Sequence, residues 1–499
     1  MKNTKKLVSM ALLVSLAITS LVGCGPSTTS ETKTPTKVDT SKEVALQWYF
    51  IGNGQQKDTE AVQTELNTYL KKKINATVTL NCFDFGSYDN KMKTKIAAGD
   101  KFDICFTSNW ANSYTDNVAR KAFVDLTDLL PTYAPKTKDL LGADFLKGSA
   151  IDGKNYAIPC NKEKAHQYGI LYNSDLVKKY NLDIKSVKTI DQLEPLLKTI
   201  KDKEPGVYGL EATASDAPTQ LLDWDTIGGD KLPGVLTNDS TDMKVFDQFS
   251  KPEEKTFLET IHKYYQAGYI RKDAASVTDM TADENGKKIF AMVKSLKPGK
   301  DAEMTLSSKV PWTQVEMTTP YISNRETTGS MMAISSTSDN KERALMLLEL
   351  VNTDSYVNNL INFGIENKHY VKDGTSGNII KAGPNNADYN PQIQWVFGNQ
   401  FLNYLYNTED PQKWDKFKQF NSSAKPTKTL GFTFDPSNVS TEVAAIATVW
   451  DKYNPGLQTG TSDPDTTIPK FETDLKAAGL DKVIAEKQTQ LDKWAKSSK

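Results

Sequence analysis

The sequence has few of the residues that build metal and catalytic centres. It contains three histidines, His166, His262 and His369, and four cysteines among 499 residues. None of the histidines forms an HExxH pair, and no CxxC motif is present, so no zinc site is predicted. Arginine is also scarce, and no arginine cluster suited to phosphate is visible, which favours a neutral ligand.

The remaining short motifs for cofactors and nucleophiles are incomplete. Residues 52–54 (GNG) lack the third glycine of a dinucleotide fingerprint, and Ser330 does not stand in a GxSxG elbow. Residues 281–286 (TADENG) begin with threonine instead of aspartate, and Met292 stands where a calcium loop needs glutamate. We therefore predict no cofactor, no metal and no catalytic residue.

Charge and hydropathy exclude two further classes. The 61 basic residues nearly balance the 62 acidic ones, so no nucleic-acid partner is predicted. After the N-terminal apolar run, no second stretch is long enough to cross a bilayer. The composition, with 38% hydrophobic and 25% charged residues, is that of an ordinary folded protein.

The N-terminus has the features of an export signal. Three lysines among the first six residues precede an apolar run at residues 7–22, which predicts a signal peptide at residues 1–23. Residues 21–24 (LVGC) resemble the bacterial lipobox. That resemblance implies that Cys24 is acylated and becomes the first mature residue, which would anchor the protein outside the cytoplasm on the cell membrane. The alternative is an ordinary cleaved signal with an incidental cysteine.

A spacer and a large globule follow. Residues 24–43 are rich in Ser, Thr, Pro and Lys, which predicts a flexible tether. About 455 residues remain, too many for one small core, so two or more lobes are expected. Of the four cysteines, Cys82, Cys105 and Cys160 are left beyond the anchor, an odd number that argues against a disulfide framework but allows one pair.

The periodicity of apolar residues predicts an α/β protein. Strands are expected at residues 44–50, 76–83 and 102–106, with helices at about 58–74 and 88–98 between them. This β-α-β-α-β order with short connections predicts a parallel sheet. Long helices are expected later in the chain at residues 341–352, 412–422, 439–454 and 471–496.

Five segments in order carry a resemblance to a known family. They are AAGDKFDICF (97–106), IDGKNYAIP (151–159), LYNSDL (171–176), GSMMAIS (329–335) and a stretch beginning GNQFL (398–402). Together they resemble extracellular solute-binding lipoproteins of ABC importers, the maltose- and oligosaccharide-binding type, in its large-lipoprotein branch. The resemblance implies a two-lobe periplasmic-binding-protein (type II) fold with a ligand cleft between the lobes.

The same resemblance divides the chain between the two lobes. Lobe 1 is expected to comprise residues 44–160 and to resume at residues 324–385, which form its return segment. Lobe 2 is expected at residues 161–323, and residues 386–499 complete it with C-terminal helices.

In the family, the loop after the third strand carries ligand-binding residues, which correspond here to Ser108, Asn109, Trp110 and Asn112. A flat aromatic ring with polar neighbours suits a sugar, because sugars offer both apolar C–H faces and hydroxyls. Core packing is the alternative for Trp110.

Further candidates follow predicted strands or stand near predicted lobe crossings. For these, a polar turn, a cap, core packing or surface exposure is at least as good an explanation. The candidates are Asn53, Gln55, Asn161, Glu163, Trp224, Trp312, Tyr321, Asn324 and Trp395.

The resulting expectation is a monomeric receptor, not an enzyme, that captures a carbohydrate and delivers it to the membrane subunits of an ABC permease. Two lobes would close on the sugar by hinge bending. A secreted glycan-degrading lipoprotein, which needs two carboxylates across a cleft, and a binding protein for a non-sugar solute remain as alternatives.

Overall fold

The computed structural model describes residues 38–374 and 377–497. The predicted signal peptide, the predicted acylation site Cys24 and most of the predicted tether lie outside these residues. None of the described helices is long and apolar enough to cross a membrane.

The strands alternate with helices through the first part of the chain, as expected. In chain order they are β1 (Val44–Gly52), β2 (Ala76–Asp84), β3 (Ile104–Thr107), β4 (Ala157–Pro159), β5 (Tyr168–Asn173), β6 (Tyr208–Leu210), β7 (Trp224–Thr226), β8 (Val235–Thr237), β9 (Ile289–Ser295), β10 (Trp312–Glu316), β11 (Tyr321–Ile322), β12 (Met331–Ile334), β13 (Tyr370–Lys372), β14 (Ile379–Ala382), β15 (Leu405–Tyr406) and β16 (Lys425–Pro426).

The helices become longer towards the C-terminus. They are α1 (Thr59–Ile74), α2 (Tyr88–Ala98), α3 (Tyr114–Ala119), α4 (Leu130–Tyr133), α5 (Pro135–Gly148), α6 (Ser174–Tyr180), α7 (Glu194–Lys203), α8 (Pro252–Gln266), α9 (Thr281–Asn285), α10 (Lys300–Ser308), α11 (Asn324–Thr327), α12 (Lys341–Thr353), α13 (Ser355–Phe363), α14 (Lys413–Ser423), α15 (Ser440–Gln458), α16 (Pro464–Ala477) and α17 (Leu480–Ser497).

The first sheet has the strand order β2-β1-β3-β12-β4. β1 runs parallel to β2 and to β3, which confirms the predicted parallel arrangement. The side chains of Val62, Leu66 and Leu70 on α1 are fully buried, because their four-residue spacing puts them on the helix face that covers the sheet. β12 joins this sheet antiparallel to β3 and β4.

The second sheet has the order β10-β5-β9-β6 and belongs to the other lobe of a two-lobe α/β fold. The chain passes between the two sheets at residues 160–167, the first crossing, and at residues 317–330, the second crossing. A third segment, beginning at residue 398, lies beside the first crossing, since the N–H of Asn161 donates to the Gly398 carbonyl over 2.8 Å.

The core of the first sheet extends beyond one predicted lobe boundary. The return segment of lobe 1 is predicted to end at residue 385, but Tyr389, Ile393, Val396 and Phe397 are buried in the core of the first sheet. The ring centroids of Phe397 and Trp48 on β1 lie 5.5 Å apart. This stretch lacks helical or strand periodicity, so its apolar residues gave no sign of the lobe they pack against.

The C-terminal helices share a core of their own with the segment around β7 and β8. Leu236 and Leu258 pack in it with Phe434, Phe471 and Leu491. The predicted helix at residues 471–496 is wrong, because α16 and α17 are separate. Gly479 interrupts them with φ +99°, and a Cβ there would lie 2.5 Å from Glu442 Cγ.

The chain is attached to the fold earlier than the predicted tether end at residue 43. Arg343 on α12 is only 3% exposed. Its guanidinium donates to the carbonyls of Asp39 and Asn75, each over 2.8 Å, and to the Ile74 carbonyl. Asn75 in turn donates to the Thr40 carbonyl over 3.0 Å. Residues 39–41 are therefore held against the first lobe.

Replacing Arg343 by methionine removes these donors from the Asp39 and Ile74 carbonyls, while the Asn75 carbonyl still accepts from the Val44 N–H. We expect Arg343→Met to lower the free energy of unfolding of the first lobe by about 2 kcal/mol, or the Tm by about 5 °C, in differential scanning calorimetry. Arg120→Met, at an exposed arginine, is the matched control. An equal Tm for both variants would contradict the anchoring role of Arg343.

Candidate functional site

Four aromatic side chains, Phe85, Phe106, Trp110 and Trp395, cluster where β2 and β3 end, and we call this cluster the aromatic platform. The ring centroid of Trp395 lies 6.3 Å from that of Phe85, 6.0 Å from that of Phe106 and 5.9 Å from that of Trp110. Phe85 and Trp110 are 45% and 53% exposed. The platform thus presents large apolar rings at the sheet edge where α/β proteins usually bind ligands.

The loop after β3 is built to turn Trp110 outward. The Ser108 hydroxyl accepts from the N–H groups of Ala111 (2.8 Å) and Trp110 (3.2 Å). Asn112 has φ +47° and is 3% exposed, and its amide donates to the Phe106 carbonyl over 2.8 Å. Ser108 and Asn112, both predicted to touch ligand, are therefore engaged inside the loop and fix its shape.

Hydrogen bonds tie this loop to the second crossing. The Trp110 indole N–H donates to the Gly329 carbonyl over 2.8 Å. Asn109 donates from its backbone to the Thr328 carbonyl and from its side-chain amide to the Arg325 carbonyl, both over 3.0 Å. The orientation of the Trp110 ring thus depends on the position of the segment that connects the lobes.

Helix α11 lies on this crossing, and its N-terminus is fixed by two sets of contacts. Ser323 and Glu326 form a reciprocal capping box at its N-terminus. The Asn324 side chain accepts from the Gly431 N–H over 2.7 Å and donates to the Phe432 carbonyl. Asn324, predicted as a ligand residue, here joins the second crossing to the segment before the C-terminal helices.

A polar pair stands on the second-lobe side of α11. Arg325 Nη1 lies 3.1 Å from Asp230 Oδ1, in the loop between β7 and β8, and the two side chains are 56% and 68% exposed. An ion pair this exposed contributes about 0–1 kcal/mol to stability at most. Its donors and acceptors face solvent beside the loop that carries Trp110.

His166 on the first crossing contacts two carboxylates. Its Nε2 lies 2.8 Å from Asp223 Oδ1 and its Nδ1 lies 3.1 Å from Glu326 Oε2. Burial disfavours the imidazolium, but the two carboxylates outweigh it and raise the pKa of His166 to about 10. Burial also opposes ionisation of Glu326, yet His166 lowers the pKa of that carboxyl. The imidazolium therefore links the first crossing, the second crossing and the second lobe.

Tyr321, a predicted site residue, lies next to this centre. Its backbone pairs with that of His166 in both directions over 2.9 Å. The ring of Tyr168 stands 5.4 Å from the His166 ring. Tyr321, which is half-buried, therefore joins the second crossing to the first through its backbone.

Two predicted residues after β1 have different surroundings. Asn53 is exposed, bridges to Asp84 just before Phe85, and donates to the Pro391 carbonyl over 3.0 Å. Gln55 bonds to the backbone of β2, accepting from the Cys82 N–H and donating to the Leu80 carbonyl, each over 3.1 Å. Asn53 therefore borders the platform, whereas Gln55 completes the sheet.

Asn161 and Glu163 are used within the crossings. Asn161 is 4% exposed and donates to Asn399 Oδ1 over 2.9 Å. Glu163 pairs with Lys162 (3.2 Å) and Lys297 (3.4 Å). Burial opposes ionisation of Glu163, but the two lysines overcome it and hold the pKa at about 2.

The structure does not bring Trp224 or Trp312 to the platform. The Trp224 indole donates to Glu254 Oε2 over 2.7 Å on α8. Trp312 is 5% exposed in a core of the second lobe and donates to the Ser308 hydroxyl over 3.0 Å. Packing, the alternative considered for both, describes these surroundings.

Sequence reasoning missed Phe85 and Asp230. Phe85 follows β2 as directly as the Trp110 loop follows β3, so its place at the strand end was an available signal. Asp230 lies in a glycine-containing loop that resembles an ordinary surface turn, and nothing local pairs it with Arg325.

Comparison with known proteins identifies the family. The family described as "Bacterial extracellular solute-binding protein" matches residues 53–357, more than half of the chain. The chain belongs to this family. A second family, described as "Domain of unknown function (DUF3502)", matches residues 428–496. Membership of an extracellular family implies a location outside the cytoplasm.

Individual relatives support the assignment over the full length. A carbohydrate ABC transporter substrate-binding protein from Streptococcus pneumoniae serotype 4 is 30% identical over 517 aligned residues, covering 100% of both chains. The crystal structure of the N-glycan transport solute-binding protein (NgtS) from S. pneumoniae is 28% identical and has a TM-score of 0.84, covering 91% of this chain and 100% of that one. Its complex with Man5GlcNAc matches with a TM-score of 0.72, covering 91% and 99%.

The structure also shows whether potential metal ligands or cysteines come together. Among residues 38–374 and 377–497, no three His, Cys, Asp or Glu side chains are grouped to hold a metal ion. Cys82, Cys105 and Cys160 are free thiols, so the disulfide pair left open by the sequence is not formed.

The His166 contacts predict a pH dependence of stability. The folded-state pKa of about 10 lies above the unfolded value of 6.5, so the stabilisation is complete below pH 6.5 and is lost as pH rises towards 10. We expect His166→Gln to lower the Tm most at pH 6 and least at pH 10, with a loss of unfolding free energy at pH 6 on the order of a few kcal/mol.

The measurement is calorimetry of both proteins from pH 6 to pH 10. His262→Gln serves as the control, because His262 Nδ1 contacts the Gly460 carbonyl over 2.7 Å instead of carboxylates. A Tm difference for His166→Gln that stays constant across this range would exclude a charged His166 in the fold.

Proposed function

We propose that this protein captures an oligosaccharide at the aromatic platform, between its two lobes, and delivers it to the membrane subunits of an ABC importer. The observation that carries the proposal is the exposure of Phe85 and Trp110 beside the segment that joins the lobes. Large rings held rigidly at that place provide stacking surfaces for the apolar faces of sugar rings.

The polar rim of the platform complements the rings. Arg325 and Asp230 offer exposed donors and acceptors on the second-lobe side, and Asn53 is exposed on the first-lobe side. Sugar hydroxyls both donate and accept, so a rim with both kinds of group suits them. The balanced net charge of the chain, −1, also fits a neutral ligand.

The relatives support a carbohydrate as the solute class. The serotype 4 relative is a carbohydrate transporter component, and the NgtS complexes contain Man5GlcNAc and Man1GlcNAc. The TM-score is 0.84 for the first NgtS structure and 0.72 and 0.75 for these two complexes. A lower TM-score for the complexes is expected if the two lobes change their relative orientation on sugar binding.

We further propose a division into lobes that follows the cores. The first lobe comprises residues 44–160 and 331–397, and the second comprises residues 168–316 together with the C-terminal helices. The crossings then form the hinge. His166 and α11 lie within them, so movement of the lobes acts directly on the segment that holds Trp110.

The proposed role is binding without hydrolysis, by a monomer. Asp223 and Glu326, the carboxylates beside the crossings, both pair with His166. A glycoside hydrolase needs one carboxyl with a raised pKa to protonate the leaving group. His166 lowers the pKa of Glu326, and although burial raises the pKa of Asp225 to about 6, Asp225 is only 6% exposed and accepts from the Thr429 hydroxyl. We expect the purified protein to leave Man5GlcNAc intact.

Removing the largest exposed ring should weaken sugar binding. We expect Trp110→Ala to lower the affinity for Man5GlcNAc by about 1–3 kcal/mol, roughly 5- to 150-fold, in isothermal titration calorimetry. Trp110→Phe keeps an aromatic face for stacking, so it should retain most of the affinity even though it loses the N–H donated to the Gly329 carbonyl.

The matched control is Tyr356→Ala. Tyr356 is also an exposed aromatic residue, but its hydroxyl donates to Glu65 on α1 and it is not part of the platform. Equal affinity of Trp110→Ala and the wild type would remove Trp110 from the site. If Man5GlcNAc and a panel of other glycans all fail to bind the wild type, or are hydrolysed by it, the proposed function is wrong.

The anchor at Cys24 is part of the proposal, since a receptor works best when held near its permease. We expect the full-length protein to incorporate labelled fatty acid and Cys24→Ala to incorporate none, because two or three acyl chains on Cys24 would hold the protein firmly in a bilayer. Cys82→Ala is the control, and fatty-acid incorporation into Cys24→Ala would contradict acylation at this residue.

A further inference from the structure

The C-terminal helices contain a lysine with unusual surroundings. Lys487 on α17 is 0% exposed. Its ammonium donates to the carbonyls of three successive residues, Leu232 (3.0 Å), Pro233 (2.9 Å) and Gly234 (2.8 Å). Three donors meet three acceptors, so every hydrogen bond of the group is used by one short stretch of backbone.

That stretch belongs to the loop between β7 and β8, residues 227–234, which we call the hairpin loop. Gly234 has φ +97°, and a Cβ there would lie 3.1 Å from Ile484 Cγ1 and 3.4 Å from Lys487 Nζ. A Cβ at Gly228, with φ +90°, would lie 2.8 Å from a Phe434 ring carbon. Glycine is therefore required for the backbone to lie directly on the C-terminal segment.

The segment that follows β8 is held by the same helix. Gln488, next to Lys487, accepts from the Val245 N–H over 2.8 Å and donates to the Met243 carbonyl over 3.1 Å. Val235 at the start of β8 pairs with Phe246. One face of α17 thus fixes both the hairpin loop and the chain that follows it.

The exposed tip of the hairpin loop reaches the ligand site. Asp230 contacts Arg325 over 3.1 Å, and the Arg325 carbonyl accepts from Asn109, the neighbour of Trp110. A continuous series of contacts therefore runs from Lys487 through the loop backbone and Asp230 to the loop that carries Trp110. Because an exposed ion pair is weak, its geometry depends on the backbone on either side being fixed.

We propose that the C-terminal segment, residues 428–496, positions the second wall of the sugar site, with Lys487 as a positioning residue that holds Asp230 against Arg325. The Asp230–Arg325 pair is then the polar contact that this wall offers to a sugar. The identity of the ligand in this inference rests on the proposed function. The coupling between Lys487 and the hairpin loop does not depend on it.

Burial lowers the pKa of Lys487 to about 7. A core position alone would be served by an apolar residue at less cost in desolvation. A lysine bonded only to the hairpin loop is instead suited to fixing that loop.

The test compares Lys487→Met, which keeps the length of the side chain, with Lys482→Met on the same helix. Lys482 is 60% exposed and pairs with Glu442, so its loss controls for a changed charge on α17. Hydrogen–deuterium exchange should become at least about fivefold faster at residues 227–234 in Lys487→Met and stay unchanged there in Lys482→Met.

Affinity for Man5GlcNAc provides the second readout. Lys487→Met should bind about fivefold more weakly or worse, and Asp230→Asn should weaken binding as well. Because both changes act through one contact, the double variant should lose less than the product of the two fold-changes. A purely stabilising role predicts instead a lower Tm with unchanged affinity at a temperature where the variant is folded.

Unchanged hydrogen–deuterium exchange at residues 227–234 in Lys487→Met would overturn the inference. Faster exchange there, combined with wild-type affinity for Man5GlcNAc, would overturn it as well. If Lys487→Met does not fold, Lys487→Gln, which keeps only part of the donor set, tests the same contact, and wild-type exchange at residues 227–234 would contradict the inference. If the wild type binds no glycan, the proposed function fails. The exchange result then decides the coupling alone, with faster exchange at residues 227–234 and 324–330 supporting it.

Discussion

Three backbone carbonyls of the second crossing determine how the site is built. Those of Arg325, Thr328 and Gly329 accept hydrogen bonds from the loop formed by Asn109 and Trp110. Backbone acceptors do not change rotamer, so the loop follows the crossing as a unit. Any rotation of the crossing backbone in a lobe movement therefore moves the indole with it. The Trp110 ring keeps its position relative to the second crossing.

The two crossings are also a place of concentrated charge. His166, Asp223 and Glu326 come from three separate parts of the chain and are largely buried together. Separating a buried imidazolium from its carboxylates is costly, so this centre resists local unfolding of the crossings. Glu163 with its two lysines adds a second charged group on the first crossing. Rigid lobes joined by well-defined crossings are what hinge bending requires.

Local patterns predicted the elements of the first lobe well. The four-residue spacing of Val62, Leu66 and Leu70 gave α1, and the βαβαβ order gave the parallel strands, because both depend on neighbours in sequence. The break at Gly479 was missed, since the apolar spacing continues on both sides of it. Residues 389–397 were placed after the wrong boundary because their apolar side chains fill a core without forming a regular element.

The site was predictable only in part, for a similar reason. Trp110 is predicted as a ligand residue from the loop that follows β3, a local feature, and its ring is exposed in the structure. Its contacts with Trp395 and with the Gly329 carbonyl join residues far apart in sequence, and a single sequence contains no signal for such pairs. The partners of His166 and the contact between Lys487 and the hairpin loop depend on the same kind of long-range placement.

The cysteines have a consequence for making and handling the protein. Burial raises the pKa of the Cys82 thiol to about 11 and that of Cys160 to about 12, and it raises the pKa of Cys105 as well. Thiolate is the form that reacts in disulfide exchange, so these three side chains are protected once the chain has folded. The folded lobes need no oxidising compartment to form. A version that starts after Cys24 should fold in a reducing cytoplasm and refold from denaturant without a redox buffer.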